Sequence, residues 1–180
     1  EDHTDILCCR ASTLSQYRFA PVHFERDVPM PGRHVFAVAF SGVLAEKTGA
    51  ALETYNRASR AVSRVLQIWQ DANGRPAPSL EAAVNGSDGA VDQIRDAIAE
   101  SGDTEFGADL LRTRFDQFVL ESRTIVPGAG DALRDGDLTR FGALVDRSQE
   151  AAGAWLGNQV PETVFLAREA RRLGAAAASA

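Results

Sequence analysis

An α+β fold is expected from three observations: strand-like alternation confined to about the first fifty residues, helical spacing from there onward, and no internal repeat. Short antiparallel or mixed strands come first and a helix-rich half follows. Ser15-Gln16-Tyr17-Arg18-Phe19 alternates polar and apolar residues, and Val22-His23-Phe24-Glu25-Arg26 does so less cleanly; both suit half-buried strands. Pro29, Pro31 and Gly32 mark a turn. His34-Val35-Phe36-Ala37-Val38-Ala39-Phe40 is rich in β-branched and aromatic residues and is expected as a buried central strand ended by Ser41-Gly42.

Beyond residue 50 the period becomes 3.6. Leu52, Tyr55, Ser59, Val62, Leu66 and Trp69 fall on one helix face, and Asn73-Gly74-Arg75-Pro76 breaks that helix. Residues 79–101 read as two short helices joined by a turn at Asn85-Gly86-Ser87-Asp88-Gly89. From about Gly107 a stronger helix turns Leu111, Phe115, Phe118 and Ser122 toward a core, with Gly128 and Gly130 expected to loosen it. Gly136 is a C-terminal stop, and Asp137 is an N-cap for a helix presenting Phe141, Leu144, Val145, Ser148, Ala152 and Trp155. Pro161 suits the first turn of a last helix, with Phe165, Leu166, Ala170 and Leu173 inward and Gly174 closing it.

Composition narrows the function. The chain has 180 residues, with 19 basic and 25 acidic side chains and a net charge of −6, which disfavours nucleic acid as a partner. Hydrophobic residues make up 44% and charged residues 24%, the balance of a folded globular chain rather than a disordered one. No apolar run approaches the roughly 20 residues that span a bilayer, so no membrane partner is expected. Adjacent Cys8 and Cys9 cannot frame a long disulfide loop and are expected as small buried hydrophobes in a reduced, cytoplasmic setting. The missing initiator Met and the small-residue ending Gly174-Ala175-Ala176-Ala177-Ala178-Ser179-Ala180 suggest an internal segment of a longer chain.

The residues alone name no reaction. His3, His23 and His34 lack metal-ligand spacing, and there is no phosphate-binding glycine loop or nucleophile elbow. Lys47, the only lysine, lies in a loop where solvation is the ordinary outcome and a phosphate contact the alternative.

Flanking patterns carry more. Glu1-Asp2-His3-Thr4, the strands after it, and Ala45-Glu46-Lys47-Thr48-Gly49-Ala50-Ala51-Leu52-Glu53-Thr54-Tyr55-Asn56-Arg57 together resemble the middle of galactokinases, in the GHMP kinase superfamily. Asp131-Ala132-Leu133-Arg134-Asp135-Gly136-Asp137-Leu138-Thr139-Arg140-Phe141-Gly142-Ala143-Leu144-Val145 is similar to that family's Ala-Leu-Arg-x-Gly-Asp-x-x-x-Phe-Gly-x-Leu-Met stretch. Ser148 follows as in the family helix. At Asn158-Gln159-Val160-Pro161-Glu162-Thr163 only Pro161-Glu162 matches the family's Ser-Cys-Pro-Glu-Leu-like junction, which leaves the sugar open.

The resemblance implies that residues 1–33 end an N-terminal, ribosomal S5-like kinase domain. Residues 34–180 would be a GHMP-kinase C-terminal domain cut before its Gly-rich strand-loop. It implies an ATP-dependent sugar 1-kinase using ATP and Mg²⁺ on the anomeric hydroxyl of galactose or a related sugar. The intact protein would be a monomer, and the isolated segment inactive. Asp2 would be the catalytic acidic residue, retained from a Met-Asp-Gln-like tripeptide. Tyr55, at close to the family separation from Asp2, would contact the sugar. Each has a plainer role: Asp2 as an N-cap, Tyr55 as core packing. The alternative implied by the same likeness is a catalytically inactive galactokinase-like sugar sensor or interaction protein.

Overall fold

A computed structural model of the chain describes residues 7–18, 21–44, 50–156 and 159–180, with the side chains of 50–55 outside that description. Thr13–Arg18 (β1) and His23–Pro29 (β2) form an antiparallel hairpin around Pro21-Val22. A bulge between Gln16 and Tyr17 shifts the register, so that Gln16 faces Arg26 while Tyr17 faces Phe24. The two rings meet edge to face with centroids 5.6 Å apart. A last main-chain bond from Met30 N–H to Ser12 O closes the ladder, and Arg33 in the left-handed region (φ 69°) turns the chain out of it.

Residues 34–40 depart from expectation. They form no strand, with Val35 86%, Phe36 69%, Val38 99% and Phe40 83% exposed. A buried strand needs partner edges and covering layers. Among the described residues the only ladder is β1–β2, and the turn at Arg33 ends it. Cys8 and Cys9, expected to be buried, are exposed free thiols.

The helical half follows the sequence closely. Ala50–Asn73 (α1) ends at Gly74 in the left-handed conformation. Leu80–Val84 (α2), capped by the Ser79 hydroxyl, and Ala90–Glu100 (α3) are the two expected short helices. Ala108–Leu120 (α4) runs through a π-helical turn, Glu121–Ile125, into Val126–Arg134 (α5). Pro127 has no N–H to offer the carbonyl one α-turn back, and widening to i→i−5 bonding just before it keeps the helix continuous. Leu138–Trp155 (α6) and Pro161–Arg172 (α7) complete the chain.

The core lies among α1–α4. Ala61, Val65 and Ile68 of α1 meet Leu80, Ala83 and Val84 of α2, Ile94 and Ile98 of α3, and Phe106, Leu111 and Phe115. The expected stripe of α1 forms the flank: Val62, Leu66 and Trp69 are only partly buried, because small Ala61 sits at the centre.

Gly128 and Gly130 do not loosen α5 but admit close neighbours. A Cβ on Gly128 would stand 3.2 Å from Leu144 Cδ1, and one on Gly130 would stand 2.6 Å from Arg26 Nη2. Arg26 thereby joins β2 to α5, donating to Asp131 Oδ1 (2.6 Å), Pro127 O (3.0 Å) and Gln16 Oε1 (2.9 Å). Arg18 Nε, 2.8 Å from Glu81 Oε1, makes a second link across the boundary expected at residue 33.

The last helix is rotated from its expected register. Ala167 is buried, whereas Phe165 is 51% and Leu173 76% exposed, and Trp155 at the end of α6 is 38% exposed. The Arg168 guanidinium lies 5.6 Å from the Phe165 ring centroid, which shields one ring face on the surface.

Candidate functional site

Asp2 lies outside the described residues, as do Glu46 and Lys47. Tyr55 falls on the backbone of α1, and its side chain lies outside the description. The structure therefore does not bring these two together or separate them. What it shows is the frame around the start of α1.

Three arginines follow along α1, two of them facing carboxylates. Arg57, Arg60 and Arg64 recur at helical spacing along α1. Arg57 packs over the Phe106 ring (5.3 Å), Arg60 Nε stands 3.9 Å from Glu105, and Arg64 Nε donates to Asp103 Oδ2 at 2.7 Å. Across from them, Arg114 on α4 donates to Gln117 Oε1 and reaches Ala58 O, one turn after Tyr55, at 3.5 Å. Its Nε is buried without a hydrogen-bond partner, and burial holds its pKa below the usual guanidinium value. Among the described residues it has no carboxylate partner. Arg114 lies three residues after Leu111 and four before Phe118, inside the apolar stripe of α4. A charged residue on a buried face was the signal available for it in the sequence.

The matched stretch 131–145 straddles the α5–α6 corner. Gly136 takes φ 73°, as a helix-ending glycine does, and Asp137 Oδ1 accepts from Arg140 N–H at 2.9 Å. Ser148, one turn beyond, donates to Glu121 Oε1 at 2.6 Å and ties α6 to the π turn. Pro161-Glu162 opens α7 as expected, with Glu162 in its first turn.

Among the described residues no three His, Cys, Asp and Glu side chains gather as a site for Mg²⁺, and Asp146, which lines the α6–α7 cleft, is already paired by Arg171. Among the described residues no helix is long and apolar enough to cross a membrane. Comparison with protein-family models, with curated proteins and with solved structures finds no match for this chain.

Proposed function

We propose that this chain supplies the sugar-facing part of a galactokinase-like, ATP-dependent sugar 1-kinase acting on the anomeric hydroxyl of galactose or a related sugar. The stretch 131–145 carries the reading, because its Gly136 and Asp137 have clear jobs at a helix corner and its order follows the family pattern. The resemblance puts the residues that hold ATP and Mg²⁺ outside these 180 residues, so every step argued here belongs to the sugar side.

The role assigned to Asp2 is to accept the proton of the sugar hydroxyl as it attacks, and to orient that oxygen beforehand. Asp2→Asn in the natural polypeptide keeps the side chain's shape and capping ability and removes the base. Turnover should fall by about 10²–10⁴ with the melting temperature little changed. Near-normal turnover on every sugar tested would leave Asp2 a cap and overturn the assignment.

A further inference from the structure

Residues 174–180 bear no side chain larger than serine, yet they are held at several points. Arg171 is fixed by Asp146 through two bonds of 2.8 Å, and its Nη1 donates to the carbonyls of Ala175 (2.7 Å) and Ala176 (2.5 Å). Further along, Gln149 Oε1 accepts from Ala180 N–H (2.8 Å) and from the Ser179 hydroxyl (3.1 Å). Gln159 Nε2 donates to Ala180 O at 3.2 Å, and the two glutamines are themselves joined, Gln149 Nε2 to Gln159 Oε1 at 2.5 Å. Apart from the Ser179 hydroxyl, every contact these side chains make to residues 175–180 is to main chain.

The groove floor is shaped to match. Gly142 sits inside α6, where glycine is ordinarily less favourable than alanine. A Cβ there would collide with Ala176 O and press on the Arg171 guanidinium, so only glycine lets an extended chain lie this close. Gly153, on the same helix, faces open space. A cleft of about 510 Å³ continues beside the segment, lined by Gln149, Gln159, Val164, Ala167 and Ala178 among others.

We propose that the shared face of α6 and α7 is a peptide groove that reads the main chain of an extended segment of small residues. Residues 175–180 are its resident occupant, and an Ala/Ser peptide offered in trans takes the same place when they are absent. The recognising groups are Arg171, Gln149 and Gln159, and Gly142 sets the size limit. Ala175 N–H bonds Ala170 O (3.0 Å) as part of the α7 terminus, whereas the contacts of Ser179 and Ala180 with Gln149 and Gln159 do not require the occupant to be covalently attached. The connection through Gly174 supplies a local concentration on the order of millimolar, which keeps other segments out.

The full chain gives the first test. By NMR, Ala180 N–H should exchange with solvent roughly 3–10-fold more slowly than in a free peptide of residues 175–180, the protection expected of one net hydrogen bond. Gln149→Ala should abolish that protection. Gly142→Ala should do the same although alanine is the better helix former. Exchange at the free-peptide rate in the unaltered chain overturns the proposal, as does protection that survives Gly142→Ala.

The second test uses the chain lacking residues 175–180 and a fluorescently labelled peptide of that sequence. Anisotropy should show saturable binding, weakened several-fold by N-methylation of the residue matching Ala180 and lost with Gly142→Ala. A folded shortened chain that binds no peptide at millimolar concentration, or that binds the N-methylated peptide equally, contradicts main-chain recognition. Should the shortened chain not fold, the exchange measurement decides alone.

Discussion

Asp103 offers the sharpest stability test of the helical core. Its side chain is only 3% exposed; it accepts from Phe106 N–H at 2.8 Å and from Arg64 Nε at 2.7 Å, tying the α3–α4 loop to α1. Asp103→Ala removes both bonds. Arg64 is 30% exposed and keeps Gln67 Oε1 at 3.1 Å, so it is not stranded. The N–H of Phe106, a residue only 8% exposed, is orphaned, a loss of about 1–3 kcal/mol. Adding the charge-assisted bond to Arg64 brings the expected cost to about 2–4 kcal/mol. Asp103→Asn keeps an acceptor for Phe106 N–H and should cost only about 1 kcal/mol.

The pH dependence has a definite sign. The Phe106 N–H bond, then the Arg64 bond, hold the Asp103 carboxyl below its ordinary pKa. A depressed folded-state pKa gives stability that is present above the unfolded value of about 3.9 and is lost as pH falls through the folded value. Urea unfolding from pH 7 downward should therefore show the wild-type chain losing stability below about pH 5, with Asp103→Asn lacking that component. Equal losses for Asn and Ala at pH 7, or a cost under about 0.5 kcal/mol for Ala, would refute the reasoning.

Two further outcomes follow from the packing and the proposed site. Gly130→Ala should destabilise by about 1–3 kcal/mol, against the usual helical gain, because the new Cβ lands on the Arg26 guanidinium that docks the hairpin; a raised urea midpoint contradicts it. In the natural polypeptide Tyr55→Phe should raise the apparent sugar KM by about 3–10-fold and leave kcat nearly unchanged, the loss of one hydroxyl contact; an unaltered KM assigns Tyr55 to packing.

Local signals were legible where local physics decides. Period, caps and stop glycines placed most of the helices because Asp137, Gly74, Gly136 and Pro161 act within one turn of themselves. The outcome at residues 34–40 was not legible, since an apolar β-rich run becomes a buried strand only where another strand receives it. The same limit applies to glycine: Gly128, Gly130 and Gly142 look like helix weaknesses in sequence, and only the close approach of Leu144, Arg26 and Ala176 explains them. Phe165 misled the register of α7 because Arg168 lets it stay outside while small Ala167 packs. Asp2 and Tyr55 were singled out through family resemblance alone, and Asp2 and the Tyr55 side chain lie outside the described residues. Arg114 was readable as a charge within an apolar stripe, a signal easily passed over among nineteen basic residues.

The most direct test of the central claim is ³¹P NMR of the natural polypeptide that carries this sequence, incubated with ATP, Mg²⁺ and a panel of hexoses, uronic acids, pentoses and N-acetylated sugars. The account predicts a sugar 1-phosphate resonance from galactose or one related sugar, absent with the corresponding 1-deoxy sugar and strongly reduced by Asp2→Asn. No sugar phosphate from any member of the panel, or phosphate transferred to a hydroxyl other than the anomeric one, would contradict it.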